Sequence, residues 1–238
     1  MVIWNTLRVG FFLAIRSLKR SNRYVTVLII IILTLIFLNL VAIGGLLLGL
    51  IRGSEIGWIK TYGGAVVIEP PAGEKFIEDP NDIIDFTKTV PGYVSYSPRL
   101  DEGGKLETGY KEKKVGSEVS NISAVITGID PELEGKTVAY PSFLYSGRFL
   151  ENGDRDKIVL GSLAAGKGAT IGFGEALEDV YVGDTILATY GNGVQREYEL
   201  VGIIESKEPE INLKAFVTLD ELQDVMNYTS PRYTDIHV

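Results

Sequence analysis

The residues that most invite a chemical reading run Gly161-Ser162-Leu163-Ala164-Ala165-Gly166-Lys167-Gly168, just behind an apolar stretch. Their spacing matches a phosphate-cradling loop at every position but the last. The residue after the lysine must offer a hydroxyl to magnesium, and Gly168 has none. Gly172-Phe173-Gly174 lacks the third glycine and the preceding strand of a dinucleotide loop. Acid pairs recur at Glu78/Asp79, Asp101/Glu102, Glu178/Asp179 and Asp220/Glu221, none with the spacing of a calcium-binding loop. Among 31 acids they read as solvated surface. Ser142, Ser146 and Ser162 would need a base, but His237 is the only histidine and cysteine is absent. A serine–lysine pair stays open without a motif to support it. No catalytic residue, metal ligand or cofactor follows, and the chain reads as non-enzymatic.

Polar and small residues in an apolar setting are more informative. Asn39, Ala42, Gly45, Gly49 and Gly53 recur at intervals of three or four, and at 100° per residue they share an arc of about 120°. Small residues at that spacing let a second helix approach closely, and an asparagine in hydrocarbon seeks a polar partner. The expected role is packing against other membrane helices. The plainer alternative is that glycine is simply common in membrane helices.

These residues lie in a segment that reads as a transmembrane helix, residues 24–51. From Tyr24 to Ile51 there are 28 residues without a charge, 20 of them Leu, Ile, Val or Phe. At 1.5 Å per residue they reach ~42 Å, more than the ~30 Å hydrocarbon core. The apolar centre from Leu28 to Leu46 favours insertion by about 5 kcal/mol before the small penalties of Thr34, Asn39 and the glycines. A cleaved signal peptide would have an apolar stretch of about 7–15 residues and a small-residue cleavage site. Here the exit reads Leu50-Ile51-Arg52-Gly53-Ser54-Glu55.

Charge sets the expected orientation. Residues 1–23 carry Arg8, Arg16, Lys19, Arg20 and Arg23 with no acid, whereas the rest of the chain holds 18 basic residues against 31 acidic ones. The positive-inside rule therefore puts the N-terminus in the cytoplasm and residues 52–238 outside, at the cell membrane. ATP is scarce there, a second reason against nucleotide binding around Lys167. An acidic outer part also argues against a nucleic-acid partner. Residues 1–23 read as a basic amphipathic helix on the bilayer surface, with Arg8, Arg16, Lys19 and Arg20 together on the wheel beside an apolar arc. A flank that only sets topology is the alternative.

Residues 52–238 read as an extracytoplasmic α+β domain of ordinary size, or as two small lobes. Strands are expected at 65–69, 93–100, 122–129, 157–160, 184–190, 194–206 and 215–218. Helices are expected from about Asp79 to Val90, beginning around Ser162–Lys167, and from Leu219 to Asn227. Asp79 and either Thr218 or Asp220 are the expected caps. Gly191-Asn192-Gly193 signals a hairpin. Residues 101–118, with Gly103-Gly104, read as a polar hairpin or mobile loop.

With the elements placed, a family order emerges. Ala14-Ile15-Arg16-Ser17-Leu18-Lys19-Arg20 leads into the membrane helix, followed by Ser97-Pro98-Arg99-Leu100, Thr127-Gly128-Ile129-Asp130-Pro131 and Ser146-Gly147-Arg148-Phe149-Leu150. Then come Ile158-Val159-Leu160-Gly161, Val182-Gly183-Asp184-Thr185, Tyr198-Glu199-Leu200-Val201-Gly202-Ile203 and the strand–helix around Leu219–Val225. This order resembles the N-terminal half of an ABC-transporter permease of the MacB/FtsX/lipoprotein-releasing type. The resemblance implies a MacB-like periplasmic core domain set between a first membrane helix and three later ones. It also implies a cytoplasmic ABC ATPase, a second permease protomer, and ATP-driven movement of the outer domain. Nothing after residue 51 is apolar enough to supply the later spans, so the expectation is a fragment whose remaining helices lie beyond Val238. The rival expectation is a single-pass protein whose outer domain binds a ligand or envelope partner as sensor or adaptor.

Overall fold

The computed structural model describes residues 2–20, 23–58, 64–112, 120–138, 140–167, 176–178 and 180–238. Two helices come first, α1 (Val2–Arg20) and α2 (Arg23–Trp58). Good helix formers and β-branched side chains fill α2 without a proline, so it runs past both limits of the uncharged stretch. It contains one segment, Arg23–Ser54, long and apolar enough to cross a membrane, and none of that surface is buried within the chain. In water such a helix would leave some twenty large apolar side chains uncovered, which only lipid or other helices can relieve.

Residues 56–238 gather into one compact unit. Its elements are β1 (Val67–Ile68), α3 (Pro80–Lys88), β2 (Ser97–Thr108), β3 (Ser120–Ile129), α4 (Pro131–Thr137), β4 (Leu144–Gly147), β5 (Lys157–Gly161), β6 (Thr185–Tyr190), β7 (Gln195–Ile204), α5 (Pro209–Asn212), β8 (Ala215–Thr218), α6 (Leu219–Met226) and β9 (Asp235–His237). The domain is α+β, as expected. Among the described residues a single sheet runs β1-β9-β2-β3-β8-β5-β7-β4, and β6 bridges β7 back to β2. Six strands (β2, β3, β8, β5, β7, β6) therefore form a closed ring of pairings, which leaves no free edge along that circuit. Inside it pack Leu100, Leu106, Ile126, Ile158, Leu160, Ile186, Leu200 and Val217, all essentially inaccessible to solvent.

The longest strand corrects two expectations. A strand at 93–100 and a polar loop at 101–118 become β2, which begins at Ser97 and stays paired with β3 from Arg99↔Ile129 to Thr108↔Ser120. Gly103-Gly104 does not turn the chain. A Cβ at Gly104 would lie 2.6 Å from Ile126 Cδ1, so this glycine marks close packing inside a strand. Residues 113–118 of the expected loop lie outside the described residues, as does the glycine cluster at 172–174.

Asp79 and Thr218 hold the expected cap positions, but neither caps its helix through its side chain. Asp79 stands before α3 in a left-handed conformation (φ 45°, ψ 53°) and makes no capping bond, leaving Pro80 to start the helix. Thr218 precedes α6, but its hydroxyl donates to Asp154 O at 2.9 Å instead. Residues 162–167 form successive turns, with Ala165 N donating to Gly161 O and Lys167 N to Ser162 O, and no helix begins there. The hairpin at Gly191-Asn192-Gly193 stands where expected, between β6 and β7.

Candidate functional site

Two features could carry function: the small-residue face of α2 and the polar cluster at the root of the sheet. On α2, Asn39, Ala42, Gly45, Gly49 and Gly53 all stand exposed. A Cβ built at Gly45, Gly49 or Gly53 meets nothing within 4 Å. No contact among the described residues explains these glycines. Arg8, Arg16, Arg20 and Arg23 are exposed on the two helices, and Lys19 lies in α1.

The root of the sheet is assembled from residues far apart in sequence. Asp130 caps α4, its Oδ1 accepting from Glu132 N and Leu133 N at 3.0 Å each. The short helix thus anchored drives Glu134 into the interior, where it is fully buried. There it meets Arg99 of β2 in a forked ion pair, Nη2 to Oε1 at 2.5 Å and Nε to Oε2 at 3.2 Å. Ser97 Oγ also donates to Glu134 Oε2. The Arg99 guanidinium lies 5.1 Å from the centre of the Tyr140 ring, which meets Phe216 edge-on at 5.3 Å. Burial works against the Arg99 charge, but the Glu134 carboxylate and the Tyr140 ring outweigh it, and its pKa is raised. A buried pair of this kind holds only while both partners remain.

The last strand completes the root. β9 lies between β1 and β2, with Val67↔His237 on one side and Ser97↔His237 on the other. His237 Nε2 lies 3.0 Å from Asp235 Oδ2. Burial pushes the Asp235 carboxyl up, yet the His237 bond, aided by Arg99 and Lys214, holds it below its ordinary value. A lowered folded-state pKa contributes stability above the ordinary carboxylate range, and that stability is lost as pH falls through the lowered value. Asp235→Asn should therefore flatten the acid limb of the domain's stability-versus-pH curve, measured by urea unfolding between pH 3 and 6, about the range where carboxylates titrate.

β9 also joins the two ends of the domain. Ala65 N and Val66 N donate to Val238 O at 2.7 and 3.1 Å, and Val238 N donates to Val66 O at 2.9 Å. Residues 65–66 and 238 of the compact unit therefore lie side by side. Pairing on both sides makes β9 an inner strand of the sheet.

The motifs singled out in the sequence prove to be structural joints. Ser97-Pro98-Arg99-Leu100 and Thr127-Gly128-Ile129-Asp130-Pro131 meet at the root through the Arg99↔Ile129 pairing and the Asp130 cap. Gly147 (φ +79°) sits where a Cβ would fall 2.2 Å from Val201 O, so β4 crosses β7 only because that position is glycine. Beside it Arg148 grips Asp154 with both terminal nitrogens, at 2.7 and 3.0 Å. Gly161, the first residue of the near P-loop, lies with its Cα against the Asn212 backbone, where a Cβ would come within 2.4 Å. Its glycine serves packing. Lys167 does not reach into a phosphate cradle; its Nζ lies 4.0 Å from the Tyr181 ring centre.

Glu134, the partner of Arg99, is not among the residues expected from sequence; its signal is Asp130-Pro131 followed by acids, which starts a helix as well as ending β3.

No known family profile and no curated protein matches this sequence. Among solved structures the chain is similar to the extracellular domain of the noncanonic ABC-type transporter YknZ from Gram-positive bacteria. Identity is 11%, the TM-score is 0.46, and the match covers 71% of this chain and 79% of that one.

Proposed function

We propose that the chain is the N-terminal part of a permease subunit of an ABC-type exporter or mechanotransmission complex, of the MacB/FtsX/lipoprotein-releasing type. In this reading α2 is the first membrane span, the α+β domain lies outside the cytoplasm, and the subunit itself is non-catalytic. A separate cytoplasmic ABC ATPase hydrolyses ATP, and a second permease protomer completes the complex. The observation that carries the reading is the bonding of Ala65 N to Val238 O, which brings the ends of the globular domain together. A domain inserted between two membrane helices must leave its scaffold and return to it, and adjacent ends allow this without strain. The face of Asn39, Ala42, Gly45, Gly49 and Gly53 then supplies the contact with neighbouring spans.

The test is affinity purification of the natural polypeptide from its own membranes in mild detergent. An ABC-class ATPase should co-purify, and its hydrolysis should change when the permease is removed. Recovery of the polypeptide without an ATPase would refute the reading, and would favour a single-pass sensor or adaptor.

A further inference from the structure

Two triplets in the globular domain match the acceptor pattern for an N-linked glycan, Asn121-Ile122-Ser123 and Asn227-Tyr228-Thr229. Neither has the central proline that would block transfer. A match by itself is weak, because so short a pattern recurs by chance. The two triplets stand in different surroundings, and that decides between them.

Asn121 and Ser123 belong to β3, where they pair with Glu107 and Lys105 across the β2 ladder. An acceptor must bend into another protein's active site, and this one would break ladder hydrogen bonds to do so. Asn227 stands where α6 ends, in a left-handed conformation (φ 57°, ψ 40°). From Tyr228 to Thr234 the chain runs without helix or strand. Asn227 and Thr229 are exposed, whereas Tyr228 between them is half-buried. The Tyr228 hydroxyl donates to Glu102 Oε1 at 2.8 Å, and its ring meets Phe76 edge-on at 5.5 Å. The middle residue therefore pins the turn, and the two residues the transfer requires stand open on either side. Among the described residues no side-chain hydrogen bond holds the Asn227 amide or the Thr229 hydroxyl.

Asparagine at 227 has a plainer explanation. After glycine it is the residue that most readily takes the left-handed conformation closing a helix. That explanation covers position 227 and says nothing of the hydroxyl at 229.

We infer that Asn227 carries an N-linked oligosaccharide and that Asn121 does not. The Asn227 Nδ2 forms the new bond to the anomeric carbon of a lipid-linked oligosaccharide. The bond from that carbon to the lipid phosphate breaks, its electron pair leaves with the phosphate, and the amide proton passes to solvent. A membrane transferase of the host brings the two together. The inference rests on the globular domain lying outside the cytoplasm, where acceptors of this kind are found, and is independent of the ATPase partner. A bulky, hydrophilic glycan would keep the surface around 227–229 clear of neighbouring subunits.

The test is mass spectrometry of the natural polypeptide taken from its own membranes. Trypsin cleavage after Lys214 and Arg232 gives residues 215–232 as one peptide, and cleavage after Lys114 and Lys136 gives 115–136 as another. A sugar mass on 215–232 and none on 115–136 is the expected result. In the same cells Thr229→Ala should abolish the modification although Asn227 remains, and Thr229→Ser should keep it. Asn227→Gly should abolish it while still closing α6. An unmodified 215–232 peptide overturns the inference. Labelling of Tyr145→Cys by an impermeant maleimide in intact cells then shows whether the orientation stands without it. A sugar on 115–136, or one on 215–232 that survives Thr229→Ala, would overturn it too.

Discussion

Glu134→Ala lowers the stability of the globular domain by about 3–5 kcal/mol, the cost of leaving a buried charge without its counter-ion. Arg99 and Glu134 have side chains only 2% and 0% accessible, so water cannot enter to solvate the stranded guanidinium. Ser97 Oγ would lose its acceptor at the same time. Urea unfolding of residues 56–238, the compact unit, reads the effect directly. A second variant separates the charge from the packing. Arg99→Met with Glu134→Leu removes both charges, keeps most of the volume, and should recover the greater part of the loss. If the double variant were as unstable as Glu134→Ala alone, the ion pair would not be the cause. The pair ties α4 to β2, the strand that also pairs with β9, whose neighbour Val238 bonds to Ala65.

Gly45→Leu with Gly49→Leu weakens association of α2 with its neighbouring helices by on the order of 1–2 kcal/mol, about five- to thirtyfold in the equilibrium. Among the described residues these positions are open, so the substitution disturbs no contact seen there. Any loss therefore reports on a second helix. Leucine is also as compatible with lipid as glycine, so insertion is preserved. Cross-linking between single cysteines on α2 and on a neighbouring span or protomer, in native membranes, measures the outcome. Asn39→Leu should show a smaller loss in the same direction, since interhelical side-chain bonds in membranes average about 0.6 kcal/mol. Cross-linking unchanged in the glycine double variant would refute the packing face and leave the glycines as ordinary membrane-helix composition.

What could be read ahead of the structure followed from short-range physics. The uncharged run from Tyr24 to Ile51, the Gly191-Asn192-Gly193 turn and the β-branched strands at 122–129 and 215–218 are each determined by neighbours in sequence. What escaped depended on distant partners. Gly103-Gly104 looked like a turn because nothing nearby shows that Ile126 would press against it. Asp79 and Thr218 had the chemistry of caps, but backbone conformation in one case and a bond to Asp154 in the other diverted them. The root cluster was only half visible. Ser97-Pro98-Arg99-Leu100 stood out as a motif, yet its function as the partner of Glu134 needs the β2–β3 register, which brings α4 back over Arg99. The ring of six strands was hidden for the same reason, since β6 reaches β2 across nearly ninety residues of chain.

The small-residue face was legible as a pattern but not as an interface. It becomes one only if something outside these residues packs on it, and the open space around Gly45, Gly49 and Gly53 is what gives that expectation content.

Everything functional in this account depends on α2 crossing the membrane with the globular domain outside. The direct measurement uses two single-cysteine variants of the cysteine-free chain, Arg8→Cys and Tyr145→Cys, both at exposed positions, and a membrane-impermeant maleimide on intact cells. Labelling at 145 in intact cells, and at 8 only after the membrane is permeabilised, is the expected result. Labelling at 8 in intact cells, or protection of 145 until permeabilisation, would contradict it.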